Sequence, residues 1–177
     1  MPPDRLPSVQ TLVLTVIGDD QAGLVKALAD VVAENGGNWE RSQLAELAGK
    51  FAGIVVVAVP EERADGLRAA LAPIAGLLDV TVHEATLASA ADGTPQVRIE
   101  LLGNDRPGIV REISGVLAAH GVSVDEMSTL TREAPMAGGQ LFEAHIAAHL
   151  PREGDAAAVR AALEALAQEI QVDLSVE

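Results

Sequence analysis

The sequence predicts an α+β protein in which one β-α-β-β-α-β unit is written twice, each unit an antiparallel sheet with its helices on one face. Three observations predict it. The first is an internal repeat: Asp20-Gln21-Ala22-Gly23-Leu24-Val25 returns as Asp105-Arg106-Pro107-Gly108-Ile109-Val110, an offset of 105 − 20 = 85. Gly18 and Gly36 fall on Gly103 and Gly121 at that offset, whereas Phe51 and Pro60 fall on Phe142 and Pro151 at 142 − 51 = 91, so the second copy carries six inserted residues between these points. Arg68-Ala69-Ala70-Leu71 returns as Arg160-Ala161-Ala162-Leu163. The second observation is period-two alternation just ahead of the repeated turn, and the third is helical spacing just after it.

Leu12, Leu14 and Val16 alternate with Thr11, Val13 and Thr15, the pattern of a strand with two unlike faces, and this strand ends at Gly18. Leu24, Leu28 and Val31 then recur at helical spacing, with Lys26, Asp30 and Glu34 on the other side. Asp20 stands where it would cap this helix, and Asn35-Gly36 where a left-handed residue would stop it. Residues 38–46 and 51–59 form a predicted hairpin turning at Gly49-Lys50. Residues 64–78, with Leu67, Leu71, Ile74 and Leu78 on one face, read as a helix that Pro73 must kink or shorten, and 80–82 as the last strand.

The second copy repeats the order: strand 96–102, helix 107–120, hairpin 122–150 with the inserted turn Ala134-Pro135-Met136-Ala137-Gly138-Gly139, helix 155–170 and strand 172–176. Right-handed crossovers fold this order into a ferredoxin-like sandwich. The predicted domains are 9–84 and 96–177, joined by a linker at 85–95 rich in small and turn-forming residues.

Domains of roughly 80 residues sit at the small end of what buries a stable core alone, so mutual packing or a homo-oligomer is expected. The net charge is 12 − 26 = −14 with no run of Lys or Arg, which argues against direct nucleic-acid binding. No Cys is present, excluding disulfides and thiolate chemistry. The N-terminus has no signal-peptide core, and no stretch approaches the ~20 apolar residues of a membrane span, so a cytoplasmic protein without membrane attachment is expected.

On the sheet face away from the helices, the second copy would present Arg98, Glu100, Glu143, His145 and His149 to water. In the first copy the run Ile54-Val55-Val56-Val57-Ala58-Val59 is apolar on both sides, and the face around Val55 and Val57 is expected to meet another domain or subunit, or else the tail or linker. His145 and His149, four apart on a strand, would stand about 13 Å apart and cannot share a metal. Trp39 reads as a core aromatic or, second, as a pocket residue. No nucleophile-base set, phosphate loop or nucleotide fingerprint is present, so neither catalysis, a metal nor a cofactor is expected.

The strongest local signal is the repeated strand-Gly-x-Asp-x-x-Gly-helix turn. Gly23 and Gly108 let a small ligand approach a helix start, where free N–H groups and the helix dipole favour a carboxylate. Asp20 and Asp105 serve either as caps or as contacts to an amino group.

The stretches 18–25 and 103–110, with Gly36-Gly37-Asn38-Trp39 opening the next strand, resemble the signature of ACT domains, the small-molecule regulatory modules of amino-acid metabolism. The tandem pair with its second hairpin, Met127-Ser128-Thr129 through Ala134-Pro135 to Leu141-Phe142, resembles the glycine cleavage system transcriptional repressor family. The resemblance implies a small amino-acid ligand, glycine by this likeness, and a protein partner such as a transcriptional activator. It implies ligand contacts from Asp20, Gln21, Gly23, Leu24 and Asn38 in the first copy. Asp105, Arg106, Gly108, Ile109 and Ser123 are the counterparts. Two departures stand out: Gln21-Ala22 replaces the family's Arg-Pro, and Ser123 stands where Asn is usual. An oligomerisation module with vestigial sites is the alternative, followed by a relative of the regulatory part of formyltetrahydrofolate deformylase.

Overall fold

A computed structural model describes residues 8–85, 96–134, 138–151, 156–170 and 172–176. The chain divides into two compact units, Met1–Ala88 and Ser89–Glu177. All but the first residue of the expected linker, 86–95, lies outside the described residues.

The first unit runs β1 (Val9–Asp19), α1 (Leu24–Glu34), β2 (Asn38–Leu47), β3 (Lys50–Pro60), α2 (Glu61–Leu71) and β4 (Asp79–Glu84), with a single 3-10 helix, Ala72–Gly76, between α2 and β4. Its sheet order is β2-β3-β1-β4, every neighbour antiparallel. The second unit repeats this as β5 (Gln96–Asn104), α3 (Ile109–Ala119), β6 (Ser123–Glu133), β7 (Gln140–His149), α4 (Ala156–Ile170) and β8 (Val172–Val176), in the order β6-β7-β5-β8. Both sheets have the ferredoxin-like arrangement.

Alternation along β1 sets the faces. Leu12, Leu14 and Val16 are buried under the helices against Leu24, Leu28 and Val32 of α1 and Leu67 and Leu71 of α2. Register carries that parity to β3: Leu14 pairs with Val55 and Leu12 with Val57, so Val55 and Val57 are fully buried on the helix side. This corrects the expectation of an open face around them. A run of six apolar residues has no alternation of its own, and pairing with β1 decides which members face out. Those are Ile54, Val56 and Ala58, opposite Thr15, Val13 and Thr11. The second core is separate, built on Ile99, Leu101, Ile113, Leu117, Ala144, Ile146 and Leu163.

The helix stops follow the sequence. Gly36 and Gly121 adopt φ of 72° and 66°, and Gly37 N–H donates to the Val32 carbonyl as Val122 N–H does to Leu117. The preceding residue differs but does the same work: Asn35 Nδ2 donates to the Val31 carbonyl at 2.8 Å, and His120 Nδ1 lies 2.9 Å from the Val116 carbonyl.

Three element boundaries depart from expectation. The first hairpin turns at Ala48-Gly49, both at positive φ, rather than at Gly49-Lys50. The helix expected over 64–78 begins at Glu61 and ends as α-helix at Leu71; the chain then tightens into the 3-10 helix that contains Pro73. Both helices after the repeated turns start at Leu24 and Ile109, later than Asp20 and Pro107 would place them. The six-residue insertion is resolved into parts: at the hairpin end β6 and β7 each extend by one residue, and the connection grows from two residues to six, closed by Ala134 N–H donating to the Gly139 carbonyl. Within that turn, 135–137 lie outside the described residues.

Candidate ligand-binding site

The repeated turn forms where β1 leaves the sheet. Asp20 N–H donates to the Gly49 carbonyl at 2.9 Å and Asp105 N–H to the Gln140 carbonyl at 2.8 Å, so in each unit the turn is tied to the following hairpin rather than to its own helix. The capping role expected of Asp20 and Asp105 is not what the structure shows. Gly23 and Gly108 hold the N-cap positions at φ of 97° and 101°, and neither helix start has a side-chain cap. A left-handed N-cap is what requires glycine here. The first-turn amides of α1 are therefore left without a side-chain cap, and the exposed Asp20 carboxylate makes no hydrogen bond or ion pair with the described residues.

Asp20, Gln21 and Gly23 are exposed together at this end, while Leu24 turns inward and is 3 % exposed. Asn38 does not join them. Asp19 pairs with Lys50 and Asn38 with Ala58, which are 58 − 50 = 8 positions apart along β3. At ~3.3 Å per residue that is about 26 Å. The second unit repeats the separation, with Asn104 on Leu141 and Ser123 on His149. Trp39 pairs with Val57 and packs on the core, so it too is far from the turn.

Sequence reasoning missed what stands beside the turn. A cleft of about 280 Å³ lies at the ends of β1 and β4, lined by Ile17, Gly18, Asp19, Lys50, Leu77 and Asp79 among others. Lys50 Nζ pairs with the Asp19 carboxylate, and the Asp79 carboxylate makes no hydrogen bond or ion pair with the described residues. A Cβ on Gly18 would lie 2.4 Å from the Leu77 carbonyl oxygen, so only glycine lets the strap before β4 close over the strand end. The signal was available: Asp19 ends the strand, and the tight hairpin returns Lys50 opposite it.

In the second unit Arg106 forks onto Glu112 of α3, Nη1 to Oε1 at 3.1 Å and Nη2 to Oε2 at 2.5 Å, and Nη1 also reaches the Pro107 carbonyl at 3.3 Å. These hydrogen bonds hold the Glu112 carboxyl below its ordinary value, against its partial desolvation. Ile109 is buried like Leu24.

The polar face of the second sheet is as the sequence predicts. His145 lies between Glu100 at 3.6 Å and Glu143 at 3.3 Å, Glu143 also pairs with Arg132 at 3.1 Å, and His149 pairs with Asp125. The two histidines thus have separate partners. No group of three or more His, Cys, Asp or Glu among the described residues is arranged to hold a metal ion. No helix among them is long and apolar enough to cross a membrane.

The ACT domain family matches residues 10–84 and again 97–168. The chain belongs to the ACT-domain family. The two ACT matches cover 75 + 72 = 147 of 177 residues. Over 174 residues the chain is 28% identical to the glycine cleavage system transcriptional repressor of Escherichia coli (strain K12), covering 97% of this chain and 91% of that protein. Among solved structures it is similar to an unknown protein from Galdieria sulphuraria, with a TM-score of 0.86, 29% identity and coverage of 96% and 98%. It also shares its fold with a structure assigned as a glycine cleavage system transcriptional repressor, with a TM-score of 0.70, 16% identity and 96% of each chain covered. Both likenesses span the two ACT units.

Proposed function

We propose that this protein is a non-catalytic regulator that binds a small amino acid at the strand-to-helix turn of an ACT unit and passes that occupancy to a protein partner. One observation carries the reading. Two ACT units fill most of the chain, and each presents a glycine N-cap with no side-chain cap at its helix start. Such a helix start suits a carboxylate, and the nearby acids suit an ammonium group. Glycine is the ligand favoured by the likeness to the glycine cleavage system transcriptional repressors, and a transcriptional activator is the favoured partner. The chain acts in the cytoplasm and self-associates, since units this small gain from shared burial and Ile54, Val56 and Ala58 leave an apolar strip on the open sheet face.

The test is a thermal-shift series with glycine, L-alanine and L-serine, run beside sedimentation at micromolar concentration. A concentration-dependent rise of the unfolding midpoint with at least one of them is expected, together with a species of at least dimer mass. A flat series across all three would leave the oligomerisation-module alternative standing.

A further inference from the structure

We propose that two copies of this chain meet through the open sheet face of the first unit, each laying Val13, Ile17, Ile54 and Val56 on the same face of the other, while the second unit's sheet face takes no part. This rests on the self-association stated above and gives it a surface. The internal repeat supplies the comparison. At the offsets of 85 and 91, Val13, Thr15 and Ile17 of β1 correspond to Arg98, Glu100 and Leu102 of β5, and Ala52, Ile54 and Val56 of β3 to Glu143, His145 and Ala147 of β7. Register keeps both sets on the side away from the helices, with Val13 opposite Val56 and Arg98 opposite Ala147. In the second unit these places hold a polar network, His145 between Glu100 and Glu143, that suits water. In the first they hold no charge, and Ile17 and Ile54 are 50% and 49% exposed. The outer strands surround them with polar groups, Arg41 and Gln43 of β2 opposite Val56 and Ile54, Thr81 and His83 of β4 opposite Thr15 and Val13. An apolar centre inside a polar rim is the anatomy of a protein interface.

Charge selects a second copy as the occupant. Two chains of net charge −14 repel each other over most of their surfaces, and the cost of contact is least where acids are missing. Of 26 acids in the chain, the paired strand positions of this face carry Asp19 and Asp79, both at one end, where Lys50 pairs with Asp19. A basic partner would be drawn to the acid-rich surfaces instead and gains nothing from an uncharged face. The layout is also self-complementary. The apolar residues lie on β3 and β1, the two central strands of the order β2-β3-β1-β4, so a two-fold axis through the middle of the sheet sets apolar centre on apolar centre. Four strands about 4.8 Å apart and about seven residues deep at ~3.3 Å each make a face of roughly 440 Å². Two copies then cover about 900 Å² before side-chain relief is counted, the low end of specific interfaces, so the dimer is a reversible one.

The experiment is sedimentation of the full chain over a range of micromolar concentrations, at low and at high sodium chloride. The expected result is a monomer–dimer equilibrium in which added salt favours the dimer, because the contact is uncharged and salt screens the repulsion between the chains. Ile54→Glu sets like charges at the centre of the contact and should weaken dimerisation roughly tenfold or more. Ser128→Glu makes the same change of charge on the open face of the second unit and should leave the dimer as it was. Methyl NMR of the unaltered chain gives a reading that does not depend on a variant folding: the signals of Val13, Ile17, Ile54 and Val56 should move with concentration while those of Leu102 and Ala147 stay. A dimer that survives Ile54→Glu, one that Ser128→Glu breaks, or one that salt dissociates would overturn this face as the contact while leaving self-association intact. A monomer at every concentration, with the face covered by its own chain or kept for an unlike protein, would remove self-association and this proposal with it.

Discussion

A Cβ on Gly53 would sit 2.0 Å from the Gln43 carbonyl oxygen and 2.8 Å from Leu44 Cα, so at this point of β3 the edge strand rests on bare backbone. Neither of those atoms can swing aside as a side-chain end would. Gly53→Ala should therefore destabilise the first unit by roughly 1–3 kcal/mol, the range of an overpacked core, measurable by urea unfolding. A loss below a few tenths would mean β2 yields there. Arg106 and Glu112 make a different prediction at the same scale. Because Arg106 lowers the Glu112 carboxyl from 4.5, their pairing contributes stability that is complete above that pH and is lost as pH falls through the depressed value. Arg106→Ala should return the Glu112 midpoint upward toward 4.5 in a carboxyl NMR titration, and an unmoved midpoint would show that the fork does not form in solution.

Ala48 and Gly49 both adopt positive φ, 53° and 77°, which is the pattern of a type I′ hairpin turn. Alanine resists that conformation and asparagine tolerates it. Ala48→Asn should stabilise the β2–β3 hairpin by about 0.5–1 kcal/mol in denaturant unfolding; a loss would indicate that the turn relaxes to another type. Elements of this kind also mark how far the sequence could be read. Strand and helix faces were legible because Leu12, Leu14 and Val16, or Leu24 and Leu28, are spaced by the period of the element they build. The glycine N-caps were not, since an Asp-x-x-Gly string looks the same whether the acid caps the helix or the glycine does. Asn38 was misplaced for a further reason: which end of a strand meets which turn is a property of pairing, and only the register of β2 on β3 separates it from Asp20. The charged cleft escaped notice because its residues come from three strands and a strap.

At the scale of the whole chain, charge dominates. Twelve Lys and Arg stand among 26 acids, and several of those cations are already committed, Lys26 to Asp30, Lys50 to Asp19, Arg68 to Glu84 and Arg132 to Glu143. A duplex would find little to neutralise its phosphates. A mobility-shift assay with purified protein at low salt should show no retarded band, and a tight, salt-sensitive complex would reverse the expectation that any effect on transcription passes through a partner protein.

The hairpin between β6 and β7 has another use. The first unit joins the corresponding strands with two residues in a strained turn, whereas the second joins them with six behind an Ala134–Gly139 hydrogen bond. The two copies of one fold thus differ in chain length at this tip and keep the same sheet order. A fluorescent or split-reporter module spliced behind that hydrogen bond enters at a place where extra chain is tolerated. Spliced at Ala48-Gly49, the same module would break a two-residue turn. The duplicated fold therefore offers both an attachment point for a sensor and, in its other half, the matched negative control.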